Sequence, residues 1–264
     1  VFALGRNLPV FTPKGLRNNV VEQSRLVEAN ADVFVVVAYG RILPPELLRI
    51  PPMGVVNVHP SLLPRYRGPS PVVNAILDGE GQTGVTVMLL DRGMDTGPIL
   101  AQSPPVQLLS DEKGAELQGR LFKEGVAMLP GVLKGLADGS IIPTPQDDAL
   151  ATTTGLIERS DGEIDWLMPA EQIDRMVRAY DPWPATFTSW NGKGLKILDA
   201  RVTVAPSAGP IEPGKVVKAD GRLLVGTGSG SLEIGRVQIE GRQAVATDDF
   251  LRGQPGFEGA TLGG

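Results

Sequence analysis

The sequence predicts an α/β protein: a Rossmann-like open parallel sheet, followed by a small β-barrel of OB-like form. Three observations carry that expectation. In the first half, apolar strand-like runs alternate with segments of helical period, the order expected of an α/β sheet. Near residues 140–165 the composition shifts to Pro, Thr and acidic residues with weak periodicity. Beyond that stretch, short apolar runs are closely punctuated by Gly and Pro, as in small β-barrels and sandwiches.

The elements follow in order. Residues 18–29 have helical spacing, and Asp32–Ala38 (DVFVVVA) is a β-branched run expected of a strand buried on both faces. Gly54–Val58 is a second short strand, and Ser70–Leu77 is a helix with Pro71 in its first turn. Thr83–Leu90 (TGVTVMLL) reads as another buried strand. Ser110–Gly139 holds a long amphipathic helix, capped by Ser110 with Asp111 and Glu112 in its first turn, and Pro130 should kink or break it. A helix at Pro169–Tyr180 precedes strands at 185–190, 194–204, 214–218, 222–226 and 232–239. Two domains are expected, at 1–142 and 164–264, joined by a linker at 143–163.

Composition removes whole classes of chemistry. The 264 residues include no cysteine and one histidine, His59. Disulfides, thiolate nucleophiles, sulfur-ligated metals and two-histidine metal sites within one chain are therefore ruled out. The net charge of −5 disfavours a protein devoted to gripping a phosphate backbone, though it leaves room for a local basic face. No apolar run approaches the roughly 20 residues that span a bilayer. The opening VFALGRNLPVFTP begins with Val and has neither a signal nor a transit pattern, so a cytoplasmic protein lacking its natural start is expected. No GxxxxGK[ST] or GxSxG motif occurs.

The informative segment is 53–99. Asn57 and His59 stand two apart at a strand end, so both side chains share a face. Pro60 forces an extended exit. An amide and an imidazole at the carboxyl edge of a parallel strand occupy the usual ligand crevice, and both can donate to an oxygen gaining negative charge. A structural histidine is the competing reading. Asp95, bracketed by Gly93 and Gly97, can orient an imidazole or take a proton through water. Asp91 competes with it, and ordinary turn hydrogen bonding explains either carboxylate. Tyr39, Gly40 and Ser61-Leu62-Leu63-Pro64 would line the same crevice, where apolar residues suit a flat ring or simple loop packing.

NVHPSLLPRYRGPSPV, followed by GVTVMLLDRGMDTGPIL, closely resembles the folate-dependent formyltransferases, a family marked by Asn-x-His, SLLP-x-x-x-G and Asp-x-Gly-x-Asp-Thr-Gly. The resemblance extends upstream through DVFVVVAYGRILP. Downstream, EIDWLMPAEQIDRMVRAYDPWPATFTSWNG is similar to the start of the C-terminal domain of the branch acting on methionyl-tRNA. The resemblance implies a catalytic trio of Asn57, His59 and Asp95, with 10-formyltetrahydrofolate as donor and the amino group of initiator methionyl-tRNA as acceptor. It implies folate binding by Ser61, Leu62, Leu63 and Pro64, and a pterin pocket walled by Tyr39, Gly40, Ile42 and Asp91. It also implies tRNA binding by the C-terminal domain and no metal; a monomeric protein is expected. The family's first domain begins with roughly 50 further residues, a strand–helix–strand unit, so an N-terminally truncated form with an uncovered sheet edge is expected. Two alternatives stay open: formyl transfer to an amino sugar nucleotide, and an inactive fragment keeping only a binding role.

Overall fold

A computed structural model describes residues 2–203, 209–219 and 221–263. The chain begins with a short 3-10 turn and helix α1 (Val20–Glu28), whose N-cap Asn19 side chain accepts the Glu22 N–H. Then come β1 (Phe34–Val37), β2 (Val55–His59), helix α2 (Pro71–Leu77), β3 (Gln82–Thr83), β4 (Thr86–Leu89), β5 (Ile99–Gln102) and β6 (Val106–Gln107). Helix α3 (Gly114–Ala137) closes this half. The second half holds α4 (Ala170–Ala179), β7 (Thr186–Trp190), β8 (Lys193–Thr203), β9 (Val216–Ala219), β10 (Arg222–Gly226), β11 (Ser231–Ile239), β12 (Val245–Ala246) and α5 (Thr247–Gly253). The expected strand 194–204 ends on Val204, which lies outside the described residues, as do Val1 and Gly264 at the limits of the expected domains.

The first sheet has the order β1-β2-β4-β5 and is mixed. Its β1–β2 pair is parallel, as expected, while β4 runs antiparallel to both β2 and β5. A short loop between β4 and β5 permits only that antiparallel pairing. Val56 and Val58 of β2 face α3, packing with Leu117, Leu121 and Val132 of that helix. Each such fully buried aliphatic side chain contributes about 1.5–3 kcal/mol.

Four expectations for this half are corrected. Strand β1 is a sheet edge whose Val35 and Val37 are 41% and 39% exposed, because α3 packs chiefly across β2, β4 and β5. The run 83–90 is split: β3 pairs with β6 outside the main sheet, and Gly84 between β3 and β4 is the bare spot on which Leu62 packs. Helix α3 starts at Gly114, not after Ser110, because Lys113 is extended (φ −88°, ψ 156°) and takes the N-cap place, its N–H donating to the Glu116 carboxylate at 3.2 Å. Glu112 is accordingly no first-turn acid but a buried partner of Arg120 at 2.6 Å. Pro130 does not break α3, which runs from Gly114 to Ala137 with Pro130 on its exposed side.

The second sheet is antiparallel in the order β7-β8-β11-β10-β9, with β12 beside the far end of β11. No pairing between β7 and β9 closes the path among the described residues. Alternation along β8, and along β11 with a bulge between Ile234 and Val237 that resets its phase, turns Leu195, Ile197, Leu232 and Val237 inward against Ile173 and Val177 of α4. Trp190, Phe250 and Phe257 meet edge to face, with centroids 5.0–5.8 Å apart. Residues beyond 240, through Phe250, Phe257 and Leu262, therefore complete this core.

Candidate functional site

Because Val56 and Val58 face α3, alternation along β2 turns Asn57 and His59 to the opposite face, and both are buried there. The Asn57 amide makes no hydrogen bond among the described residues, leaving its donors available to a ligand. His59 Nε2 lies 2.9 Å from the Tyr66 carbonyl oxygen. A carbonyl only accepts, so Nε2 carries the hydrogen and Nδ1 of the neutral ring presents a lone pair. Burial pushes the imidazole below its ordinary 6.5, outweighing the opposing pull of Asp95 and of the Tyr66 carbonyl. Burial thus favours the neutral ring.

Asp95 Oδ2 stands 3.6 Å from His59 Nδ1 and accepts the Gly68 N–H at 2.8 Å. Its arrival depends on the loop. Strand β4 runs antiparallel to β2, so its end at Leu89 pairs with Val56, and residues 90–98 must fold back toward His59. Gly97 permits this, because a Cβ there would collide with the Leu89 carbonyl. Asp95 itself adopts a left-handed backbone (φ 54°), which an aspartate tolerates where its surroundings enforce it. Asp91 is taken up by the turn: its Oδ1 accepts the Gly93 N–H at 2.9 Å and the Thr96 hydroxyl at 2.7 Å.

The stretch after His59 is built as a rigid loop. The Ser61 hydroxyl donates to the Arg65 carbonyl at 2.7 Å, so it shapes the loop instead of facing out. Leu63 N–H donates to Thr86 Oγ1, and its carbonyl accepts from Gln102. Ser61 and Leu63 are buried, while Leu62 and Pro64 keep partial exposure. Tyr39 and Gly40 follow β1 where Val37 pairs with Val58, next to the His59 end of β2. Tyr39 and Ile42 are exposed, and no hydrogen bond joins them to the trio among the described residues.

The comparisons with known proteins bear on this arrangement. The formyl transferase family pattern matches residues 4–133, and the formyl transferase C-terminal domain matches residues 156–255. A methionyl-tRNA formyltransferase of Roseiflexus sp. (strain RS-1) is 47% identical over 261 residues, covering 99% of this chain and 79% of that protein. The chain belongs to the methionyl-tRNA formyltransferase family. Among solved structures, HypX from Aquifex aeolicus in complex with tetrahydrofolic acid superposes with a TM-score of 0.69 at 20% identity, over 94% of this chain and 43% of that one. A methionyl-tRNA formyltransferase from Clostridium thermocellum gives 0.58 at 21% identity, over 75% of this chain and 82% of that one. These structural likenesses speak to the fold.

For a formyltransferase, the sequence reading missed the supports of the trio. Residues 144–154, inside the expected linker, are pinned to the loops of the site. Thr144 bridges Ile99, Thr153 bridges Arg67, and the Thr152 and Thr154 hydroxyls accept the Tyr66 and Ser70 N–H groups. Tyr66, at φ 58°, is further held by its hydroxyl, 2.8 Å from both Asp78 and Glu80. Burial, with those two carboxylates, pushes that phenol far above its ordinary range. Arg67 is buried and pairs with Asp148 at 2.7 Å. A run of polar residues without periodicity gives no sequence signal of such contacts. No helix among the described residues is long and apolar enough to cross a membrane.

Proposed function

We propose that this chain transfers the formyl group of 10-formyltetrahydrofolate to the amino group of methionine carried on initiator tRNA, acting as a monomer in the cytoplasm. The observation that carries the mechanism is the placing of the His59 ring, with Nε2 held by the Tyr66 carbonyl and Nδ1 turned to Asp95 at 3.6 Å. The Asn57 amide donates to the formyl oxygen as the acceptor amine attacks and a C–N bond forms. His59 Nδ1 takes the proton that the attacking nitrogen must shed, and Asp95 stabilises the imidazolium so created. Collapse breaks the bond from the formyl carbon to N10, and His59 returns the proton to that leaving nitrogen. The donor carbonyl is already activated, so no covalent enzyme intermediate is needed. Leu62, Pro64, Tyr39, Gly40 and Ile42 wall the folate site. Ser61, Leu63 and Asp91 shape its loops through the hydrogen bonds given above.

The near-complete span of 47% identity to a methionyl-tRNA formyltransferase favours tRNA over an amino sugar nucleotide. The test is an acceptor assay with 10-formyltetrahydrofolate and either methionyl-tRNA or an amino sugar nucleotide. Formylation of methionyl-tRNA is expected. Formylation of the sugar alone would overturn the acceptor while keeping the chemistry, and formylation of neither would overturn the proposal.

A further inference from the structure

Antiparallel pairing of Thr144 with Ile99 through two 2.8 Å backbone hydrogen bonds fixes what comes next in register. Two residues onward along one strand and two back along the other, Gln146 falls opposite Gly97. Its amide orientation follows from its partners. Nε2 lies 2.8 Å from the Asp95 carbonyl oxygen and 2.7 Å from the Gly97 carbonyl oxygen, which only accept. Oε1 lies 2.9 Å from Arg67 Nε, which only donates. One side chain thus joins the loop bearing Asp95 to the loop bearing Tyr66 and Gly68, the two residues that hold His59 and the Asp95 carboxylate.

We propose that Gln146 is a positioning residue for formyl transfer: it clamps the left-handed Asp95 so that its carboxylate faces His59 Nδ1. The inference rests on the catalytic reading of Asp95. Asp95 is held at both ends, its carboxylate by the Gly68 N–H and its carbonyl by Gln146. A left-handed non-glycine residue persists only where such contacts over-determine it. Removing the Gln146 donors frees the carbonyl, lets residue 95 relax, and moves the carboxylate away from a ring it already meets at 3.6 Å. Gln146 touches neither reacting group and acts entirely through Asp95.

The experiment is a double-mutant cycle on formylation of methionyl-tRNA, with the full chain as wild type, Gln146→Ala, Asp95→Asn and the pair. Thermal melts establish that each variant is folded. A displacement of about 1 Å at a catalytic group costs on the order of 10²-fold. Gln146→Ala is therefore expected to lower kcat about 10- to 100-fold, with KM for donor and acceptor within about threefold. The double variant should turn over no more slowly than Asp95→Asn alone, since the clamp has nothing left to position. Gln146→Glu keeps the acceptor for Arg67 and loses both donors, so it should behave like Gln146→Ala even if the alanine variant proves unstable.

Wild-type turnover by Gln146→Glu, or losses that multiply in the pair, would overturn the positioning role while leaving Asp95 catalytic. Full activity of Asp95→Asn would overturn the reading of Asp95, and the positioning role with it.

Discussion

Asp95→Asn removes one charge and keeps the shape, which makes it the sharpest probe of the trio. The asparagine carbonyl still accepts the Gly68 N–H, so the loop should keep its conformation. What is lost is the attraction between a carboxylate and the imidazolium that forms during transfer. At 3.6 Å and an effective dielectric near 20 that attraction is about 4–5 kcal/mol. The carboxylate retains some solvent contact, which screens part of it. A net loss of about 2–4 kcal/mol corresponds to roughly 30- to 900-fold in kcat. Steady-state formylation of methionyl-tRNA, with KM determined for both substrates, reads this directly. The pH profile gives an independent sign. Asp95 holds the His59 pKa up, so its neutralisation must move the acid limb of kcat/KM to lower pH. A fall in donor affinity with kcat unchanged, or an acid limb that moves upward, would refute the reasoning.

Other consequences are as direct. His59→Ala should abolish formylation and leave the chain folded, at a cost of about 1–3 kcal/mol for the Tyr66 carbonyl left without its donor; near-normal turnover would remove His59 from the mechanism. The folded His59 pKa lies below 6.5, so the unfolded chain binds more protons in acid. Its contribution to stability is complete above pH 6.5 and declines as pH falls toward the folded value, a decline that thermal melts should show and His59→Gln should lack. Gly97→Ala sets a methyl against the Leu89 carbonyl, for about 1–3 kcal/mol of destabilisation. Because the displaced loop carries Asp95, kcat should fall at least tenfold at temperatures where the variant is folded; unchanged activity would show that the loop does not need this close approach.

The α/β first half, the β-rich second half and the helix at α4 were legible because each depends on local patterning that alternation or helical period records. Asn57 and His59 were legible as a pair because strand alternation alone puts them on one face. Their chemistry was readable from residue type, and the spaced motifs around them identified the family. The direction of β4 was not legible, since an apolar run looks the same in either orientation. The tautomer of His59 depends on a carbonyl seven residues away, and the arrival of Asp95 on a loop folding back across an antiparallel strand.

Gln146, Thr152 and Thr154 were hidden for a related reason. Their side chains act on backbone groups some 50 to 90 positions distant, and a hydrogen bond to a backbone group leaves no mark on the residue that receives it. Residue types and local patterning were enough to name the candidate groups and the elements that carry them. Which nitrogen of His59 faces Asp95, what holds Asp95 there, and the splinting of these loops by an aperiodic polar stretch come from the folded chain, because they rest on distances between segments far apart in sequence.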